Sequence, residues 1–225
     1  MKLSVIIPVF NEKETIVEIV EHVKAVCLEK EIIVVDDCSV DGSREILQHL
    51  TDPAVAVYFH ERNQGKGAAV RTGLAHATGD YVIIQDADLE YNPQEYLNLL
   101  GPIERGEADV VYGSRFKGQI RDMTLIQRVG NRFLTVLTNL LYRTSLTDME
   151  TCYKLAPTRL MQGLTLRSRA FDFEPEVTAK LLKRGCRIVE VPIVYQARSS
   201  EDGKKISWTH GFPAAWCLVK YRFVE

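Results

Sequence analysis

The sequence predicts an α/β fold, a mainly parallel sheet flanked by helices within a single domain. In the first half of the chain, short β-branched apolar runs, typical of buried parallel strands, alternate with segments whose apolar residues follow a helical period. Such alternation is typical of a parallel sheet covered by helices on both faces. The 225 residues suffice for one domain with a sizeable core, and no internal repeat or linker divides the sequence.

Five apolar runs are predicted to be strands of this first half. They occupy residues 3–10, 31–37, 55–59, 82–86 and 110–112. The last run breaks at Gly113, and we expect the strand to end there. Because parallel strands need a crossover connection, which is usually a helix, we expect a helix between consecutive runs.

The predicted helices begin at residues that favour helix starts. Asn11, with Glu14 three residues later, has the spacing of a capping box. The glycine-rich segment 63–67 leads into a helix of small residues, which allow close packing. Asn92 is predicted to cap a helix that begins at Pro93, since proline fits the first helical position.

In the second half of the chain, apolar residues at helical spacing predict a long helix that starts near Asp122. This apolar stripe comprises Ile126, Val129, Phe133, Val136, Leu137 and Leu140. Another side of the helix carries Arg121, Arg128 and Arg132. Such a row of cations suits phosphate binding, but it equally suits a solvated helix face.

Shorter elements follow this helix. We predict a strand at 152–155, a helix with Pro175 at its first position, a strand at 187–196 and a mobile polar loop at 199–205. The tail 208–223 is amphipathic, with Phe212, Trp216, Val219 and Phe223 on one side. Three uses of this side are open, namely packing on the sheet, contact with a membrane surface and a dimer contact, and we favour packing.

Composition excludes several classes of protein. A net charge of −2 gives no reason to expect nucleic acid as a partner. The five cysteines are scattered without a C-x-x-C pair, which argues against a disulfide framework or a zinc site and predicts a reducing compartment. There is no signal-peptide pattern, and no apolar run approaches the ~20 residues that span a bilayer. We therefore expect a cytoplasmic protein that reaches a membrane only peripherally or through a membrane-protein partner.

The stretch 82–90 ends an apolar run in acids at every second position, Asp86, Asp88 and Glu90. In an extended backbone these three side chains share one face. Carboxylate oxygens suit Mg²⁺ or Mn²⁺, the ions that most often accompany phosphates. A strand followed by a solvated turn explains the same residues, so this stretch alone leaves both interpretations open.

Polar residues also follow other predicted strands, at 11–12, 36–37 and 114–115. Because ligands of open α/β sheets bind beyond the carboxyl ends of the strands, these segments together predict a nucleotide site. The sequence has neither a P-loop nor a G-x-G-x-x-G after the first strand, which excludes a Walker ATPase and a standard dinucleotide fold. The remaining way to bind a nucleotide with acids at a strand end is through a metal-bridged diphosphate. Asp37 is then placed to accept hydrogen bonds from a base or ribose.

Several segments resemble the inverting family 2 glycosyltransferases, which have the GT-A fold. They are 4–12 (SVIIPVFNE), 34–43 (VVDDCSVDGS) and 86–88 (DAD). Further segments are similar to the dolichol-phosphate mannose synthase and polyprenyl-phosphate glycosyltransferase branch, namely 63–69, 113–116, 147–154, 173–176 and 203–206. The resemblance covers almost the whole chain. Cys38 departs from it, because the family usually has glycine there.

The resemblance implies a role for each matching residue. The donor nucleotide sugar would be bound by Pro8, Phe10, Glu12, Asp37, Lys66, Arg115, Arg198 and Lys204. Asp86 and Asp88 would hold the metal and the diphosphate, with Glu90 as a third ligand, and Arg128 would meet the acceptor phosphate. Residues 1–115 would form the nucleotide-sugar-binding half of the GT-A domain, 116–206 the acceptor-binding half, and 207–225 an amphipathic C-terminal helix.

The activity implied is transfer of mannose or glucose, dependent on Mg²⁺ or Mn²⁺, from a GDP- or UDP-sugar to a polyprenyl phosphate such as dolichyl or undecaprenyl phosphate. The alternative is a hydroxyl acceptor, which needs a general base, and Asp148, Glu150 and Glu176 are candidates. A nucleotidyltransferase is disfavoured, because no glycine-rich basic loop follows the first strand. The presence of Asp86, Asp88 and Glu90 disfavours a nucleotide-sugar-binding module that has lost activity. Neither the oligomeric state nor the choice of sugar and base follows from the sequence.

Overall fold

A computed structural model describes residues 1–170, 172–198 and 211–224 of the protein. Within them a seven-stranded sheet has the order β3-β2-β1-β4-β6-β5-β7. The strands are β1 (Leu3–Val9), β2 (Lys30–Asp36), β3 (Val55–Phe59), β4 (Tyr81–Ile84), β5 (Val110–Arg121), β6 (Lys154–Pro157) and β7 (Ile188–Gln196). Of these seven, β6 alone runs antiparallel to its neighbours. The predicted α/β fold with a mainly parallel sheet is confirmed.

Helices connect the strands. They are α1 (Ile16–Ala25), α2 (Ser43–Gln48), α3 (Lys66–His76), α4 (Tyr96–Glu104), α5 (Leu125–Tyr142), α6 (Thr158–Gln162), α7 (Phe173–Lys183) and α8 (Gly211–Phe223). A 3-10 turn at Pro93–Glu95 precedes α4, and the side chain of Asn92 accepts a hydrogen bond from Gln94 N, as the predicted cap requires. None of the helices in the described part of the chain is both long and apolar enough to cross a bilayer.

The central strands of the sheet are apolar on both faces, as expected of parallel strands covered by helices. In β1, every residue is buried except Pro8, which is partly buried. Strands β2 and β4 pair with β1 in parallel on either side. Their carboxyl ends therefore meet at one edge of the sheet, where the polar segments predicted from the sequence follow them.

The prediction that the fifth strand ends at Gly113 is wrong, because β5 continues to Arg121. Ile193 and Tyr153 lie so close that a Cβ at Gly113 would be 2.9 Å from the Ile193 side chain. A Cβ at Gly118 would lie 1.9 Å from the Ile193 carbonyl oxygen. These glycines allow β7 to approach β5 closely, so they extend the pairing of the two strands rather than breaking it.

The capping box predicted at Asn11 is also wrong. Asn11 has a left-handed backbone, with φ of 53°, and α1 begins only at Ile16. Its side-chain oxygen accepts a hydrogen bond from Val40 N at 2.8 Å, while its own N–H donates to the hydroxyl of Ser39. Asn11 therefore ties together the loops that follow β1 and β2, a contact between segments distant in sequence.

Further boundaries differ from the predictions by a few residues. The long helix begins at Leu125 behind a capping box formed by Thr124 and Gln127, rather than near Asp122. The strand predicted at 152–155 occupies Lys154–Pro157. Pro175 is the third residue of α7 rather than the first, a position inside the first turn where its missing N–H still costs no hydrogen bond. The loop predicted at 199–205 lies outside the described residues.

Helices α5 and α8 pack through sides other than their most apolar ones. The apolar stripe of α5 is exposed at Ile126, Val129, Phe133, Val136 and Leu140, whereas Leu134 is buried. In α8, Ala214, Cys217, Leu218 and Tyr221 are buried, whereas Phe212, Trp216 and Phe223 are exposed. We favoured packing of the apolar side on the sheet, and this expectation is wrong, because α8 packs on α5 and α7 through the opposite side. Small residues on that side allow the close approach.

Candidate active site

A cavity of about 750 Å³ opens at the edge where β1, β2 and β4 end. Ten of the predicted site residues line it: Pro8, Phe10, Glu12, Asp37, Lys66, Asp86, Asp88, Glu90, Arg115 and Arg198. They come from six different parts of the chain, most of them strand or helix ends, and Arg115 lies within β5. Helix α5 forms another wall, through Met123 just before it and through Ile126 and Val129. The cavity therefore joins a charged floor to an apolar wall.

Two predicted site residues in the described part of the chain do not line the cavity. Arg128 is exposed on α5 and does not line the cavity, although its neighbours Gln127 and Val129 do. Glu176 is fully buried in α7, away from the cavity. Lys204 lies outside the described residues.

Lys66, the first residue of α3, bridges two acids of the cavity. Its ammonium lies 2.8 Å from Asp86 Oδ1 and 2.8 Å from Glu174 Oε1. Burial works to lower the pKa of Lys66, but the neighbouring groups, led by Asp86 and including Glu174, together outweigh it and raise this pKa well above its usual value. Burial likewise works to raise the pKa of Asp86, and the Lys66 ammonium reverses the direction, so the pKa is lowered. Both groups are therefore charged at neutral pH.

Asp88 has a different environment. Burial, together with the negative charges of Asp86 and Glu90, raises the pKa of Asp88 to about 7. The Arg198 guanidinium lies 3.2 Å from Asp88 and 2.9 Å from Glu12, and it compensates for only part of this crowding. The cavity floor thus holds more carboxylate charge than its nearest cations neutralise, which is a condition that favours binding of a further cation.

Glu90 is held in place by neighbouring groups. One carboxylate oxygen accepts a hydrogen bond from the Tyr195 hydroxyl, and the other accepts from Arg198 N at 2.8 Å. Within residues 1–170, 172–198 and 211–224, no three His, Cys, Asp or Glu side chains are arranged to hold a metal ion. In this structure Glu90 holds Tyr195 and Arg198 in place, and its role as a third metal ligand stays a prediction.

Asp37 organises the loop that precedes α3. It accepts hydrogen bonds from Gln64 N at 2.9 Å and from Gly65 N at 2.7 Å, and it pairs with His60 Nδ1 at 2.7 Å. Gly65 has φ of 90°, and a Cβ there would lie 2.1 Å from the carbonyl oxygen of Arg169. Only glycine fits this position, which sets where α3 begins and hence where Lys66 points.

Arg115 and Asp148 form a buried bidentate pair beside the cavity. The guanidinium donates to the two carboxylate oxygens at 2.7 and 2.8 Å, and Arg115 N donates to Asp148 as well, at 2.9 Å. Burial works to lower the pKa of Arg115, and the charge of Asp148 reverses it, so this pKa lies well above its usual value. Asp148 is fully buried and engaged by these bonds, which makes it a positioning group for Arg115 rather than a base.

Glu176 is likewise engaged in the interior. Its carboxylate accepts hydrogen bonds from Arg167 N and Ser168 N, and it pairs with Lys180 at 2.6 Å. Burial works to raise the pKa of Glu176, and these hydrogen bonds, led by that of Lys180, leave it lowered. The prediction that Glu176 acts at the reacting atoms is corrected by this geometry. Its carboxylate instead fixes the segment 167–169, against which Gly65 and Gly67 pack.

Glu150 is the base candidate that does line the cavity. Its buried Oε1 atom has no hydrogen-bond partner among the described residues. Burial and then the charge of Glu174 raise the pKa of Glu150 to about 8. The sequence offers three base candidates, Asp148, Glu150 and Glu176. Internal hydrogen bonds occupy the carboxylates of Asp148 and Glu176, which distinguishes Glu150 from both.

Glu174 and Cys152 also belong to the site, although we did not predict roles for them. Glu174 binds Lys66, and the Cys152 thiol lies 3.9 Å from the Lys66 ammonium. Both lie in segments on which the family resemblance was drawn, 147–154 and 173–176. Glu174 could therefore have been found from that match, but its partner is 108 positions earlier in the chain and gives no local signal.

The chain is similar in sequence to known glycosyltransferases. The sequence model of the family described as Glycosyl transferase family 2 matches residues 4–160. The low-salt glycan biosynthesis hexosyltransferase of Haloferax volcanii is 28% identical over 229 residues, covering 99% of this chain and 53% of that protein. The undecaprenyl-phosphate 4-deoxy-4-formamido-L-arabinose transferase of Salmonella paratyphi A is 30% identical, covering 90% of this chain and 62% of that protein. The chain thus spans between half and two thirds of the length of these relatives.

Solved structures show the same fold. Glucosyl-3-phosphoglycerate synthase from Mycobacterium tuberculosis, in complex with Mn²⁺, uridine diphosphate and phosphoglyceric acid, has a TM-score of 0.75 at 20% identity, covering 100% of this chain and 79% of that one. Mannosyl-3-phosphoglycerate synthase from Rubrobacter xylanophilus has a TM-score of 0.75 at 19% identity, covering 98% and 72%. The predicted GT-A fold is confirmed by these matches. With the family match over most of its length, the chain belongs to glycosyl transferase family 2.

Proposed function

We propose that the chain transfers a hexose, mannose or glucose, from a GDP- or UDP-sugar to a polyprenyl phosphate, with inversion at the sugar carbon and with a divalent ion at Asp86 and Asp88. The observation that carries the proposal is the placement of these two carboxylates beside Lys66 and Arg198 at the carboxyl end of β4. Similar proteins support it, since one is an undecaprenyl-phosphate 4-deoxy-4-formamido-L-arabinose transferase and another has been solved with Mn²⁺ and uridine diphosphate.

The residues present fit Mg²⁺ or Mn²⁺. Crowding of Asp88 by Asp86 and Glu90, which raises its pKa to about 7, is relieved by a cation at the pair. Mg²⁺ is commonly held by one or two carboxylates together with substrate phosphates, so a third protein ligand is not needed. When bound, the ion would supply charge stabilisation for the departing nucleoside diphosphate.

The chain's own cations would act on the same diphosphate. Lys66 and Arg198 are charged, line the cavity and are each held between two acids, so both are oriented before a donor arrives. Cations fixed in this way stabilise a developing negative charge without reorganising at the moment of reaction. Pro8, Phe10 and Asp37 would hold the nucleoside at the other end of the cavity. Lys204 would join from the segment outside the described residues.

The acceptor side of the proposal rests on the cations in and beside the cavity. A lipid phosphate is already an anion at neutral pH and needs no base, only cations to position it. Of the three base candidates, Asp148 and Glu176 are used for internal bonds. We propose that Arg128 on α5 meets the acceptor phosphate, while Arg115 within the cavity meets the donor diphosphate. Residues 1–115 and 116–206 would act as the donor and acceptor halves.

A second candidate function is transfer to a hydroxyl acceptor, and Glu150 favours it. Glu150 lines the cavity, one of its carboxylate oxygens is buried without a hydrogen-bond partner among the described residues, and its pKa of about 8 lies near the pH at which a general base works. Glu150→Gln separates the two functions. A hydroxyl acceptor predicts a loss in kcat of roughly 10²–10⁴, whereas a phosphate acceptor predicts a change of only a few-fold.

The direct test incubates the chain with labelled GDP-mannose or UDP-glucose, Mg²⁺ or Mn²⁺, and undecaprenyl or dolichyl phosphate. We expect label in the organic phase with at least one donor, and none when the metal is chelated. The Asp88→Asn variant serves as a matched control for hydrolysis by contaminants. Absence of an organic-extractable product with both donors and both lipids would contradict the polyprenyl-phosphate acceptor.

A further inference from the structure

Helix α5 carries an apolar face that the rest of the described chain leaves uncovered. We define this α5 face by Ile126, Val129, Phe133, Val136 and Leu140, whose exposed fractions lie between 49% and 74%. Soluble proteins seldom leave so continuous an apolar row in water, and such rows mark interaction sites. The helix is otherwise well anchored, since Leu134, Thr135 and Thr138 are buried on its inner side.

Helix α8 adds to the exposed apolar surface. It is joined to α5 by packing of Ala214 and Leu218 on Leu134, and by a hydrogen bond of 2.7 Å from the Tyr142 hydroxyl to the Leu218 carbonyl oxygen. Trp216 and Phe223 are exposed on α8. Of the fifteen large apolar side chains exposed in the described residues, six lie on α5 and three on α8. The exposed apolar surface is therefore concentrated on two neighbouring helices.

The charge of these two helices is one-sided. Neither Leu125–Tyr142 nor Gly211–Phe223 contains an Asp or Glu, and together they contain the cations Arg128, Arg132, Lys220 and Arg222. The chain as a whole has 30 acids and 28 Lys and Arg residues. A helix with apolar side chains on one side, cations beside them and no acids is typical of helices that lie on anionic lipid surfaces.

The α5 face is continuous with the cavity. Ile126 and Val129 belong both to the exposed face and to the cavity wall, and Leu134 and Ala214 line the cavity at the contact of the two helices. An apolar surface thus leads from the outside of the molecule to the charged floor at Asp86 and Lys66. A lipid-linked phosphate approaching along this surface would keep its chain in apolar surroundings until the phosphate reached the cations.

We propose that the α5 face, with Trp216 and Phe223 of α8, docks on an anionic lipid bilayer surface. Docking would present the cavity to a membrane-bound acceptor, and only this consequence rests on the proposed function. A second copy of the chain is a poorer occupant of this face. Two α5 faces brought together would set Arg128 and Arg132 of each copy near those of the other, and neither helix has an acid to pair with them.

The test measures vesicle binding with the full chain. Sedimentation with phosphatidylcholine vesicles that contain phosphatidylglycerol should carry the protein down, and phosphatidylcholine alone should bind it more weakly. Binding should also fall at high salt, since the cations are exposed. The variant Phe133→Ser/Val136→Ser removes two apolar side chains of the face that do not line the cavity. We expect its vesicle affinity to fall by about tenfold or more.

A matched control is Val17→Ser/Leu97→Ser, which removes two apolar side chains of similar exposure from α1 and α4. It should bind vesicles like the wild type. Both double variants should keep the wild-type melting temperature and metal-assisted donor binding, so a failure of the proposed chemistry would not be confused with a failure of docking. Equal vesicle binding by both double variants would overturn the proposal. A dimer in light scattering that Phe133→Ser/Val136→Ser abolishes, without vesicle binding by the wild type, would overturn it in favour of a second copy.

Discussion

The ammonium of Lys66 and the carboxylate of Asp86 lie 2.8 Å apart although they belong to different βα units. Lys66 opens α3, and Asp86 follows β4, which pairs with β1 beneath that helix. The pair keeps both groups charged in a partly buried position, since each shifts the pKa of the other towards its ionised form. Glu174 is the second partner of Lys66, so this lysine neutralises two acids of the cavity.

Lys66→Gln should therefore weaken donor binding. Without the ammonium, the diphosphate loses a fixed cation and meets Asp86 and Glu174 uncompensated, and we expect affinity for the nucleotide sugar to fall about 10- to 100-fold, by analogy with other charge-assisted contacts. Calorimetry with UDP-glucose and GDP-mannose measures it. Lys117→Gln is the control, because Lys117 is partly exposed and its partner Glu190 lies 3.4 Å away. Wild-type affinity in the Lys66 variant would show that this cation does not contact the donor.

Arg115→Met should destabilise the fold strongly. It leaves the buried carboxylate of Asp148 without its bidentate partner, and breaking a buried pair by removing one member costs about 3–5 kcal/mol. Urea unfolding measures the free energy change. Arg105→Gln is the matched control, since its pair with Glu107 is exposed, and it should cost less than about 0.5 kcal/mol. Similar values for the two variants would contradict the structural role given to the pair.

Glu150 should make the stability of the protein pH-dependent. The unfolded chain loses this proton near the ordinary pKa of 4.5, whereas burial and Glu174 raise the pKa in the folded chain to about 8. The neighbours Lys154, Arg115 and Asp148 also act on it. Because the folded-state pKa is raised, the associated stability is complete below pH 4.5 and is lost as the pH rises to about 8.

Glu150→Gln removes this titration. The variant should melt at the wild-type temperature near pH 4.5 and roughly 5 °C above it at pH 8.5. Thermal melts in matched buffers between these values measure the difference, with Glu104→Gln as a control from an exposed helix end. A constant difference across the range would mean that Glu150 ionises in the folded chain as it does in the unfolded one.

Much of the fold follows from local patterns in the sequence. The runs at 3–10, 31–37 and 82–86 are buried strands because β-branched residues fill a sheet covered on both faces, and this pattern needs no knowledge of the partners. The convergence of strand ends also follows, since parallel strands place their carboxyl ends at one edge. The cavity that contains Asp37, Asp86 and Arg115 is thus predicted by topology and by the resemblance together.

The errors arise where distant segments decide the outcome. Gly113 extends a strand because Ile193 of β7 needs the space, and Asn11 serves the loop at Ser39 and Val40 rather than a helix. Glu176 is of a residue type that often serves as a catalytic acid or base, but its carboxylate oxygens accept hydrogen bonds from Arg167 N and Ser168 N. None of these partners lies within one helical turn of the residue it controls, so neither periodicity nor capping patterns identify it.

The pair Asp86 and Asp88 is the centre of the proposed mechanism, and calorimetry of nucleotide-sugar binding with and without Mn²⁺ tests it most directly. We predict that Mn²⁺ strengthens binding of UDP-glucose or GDP-mannose to the wild type by about tenfold or more. Asp86→Asn/Asp88→Asn should show no such gain. Asp52→Asn should behave like the wild type, because Asp52 pairs with Lys24 and does not line the cavity. A Mn²⁺-dependent gain that persists when both aspartates are replaced would contradict the account.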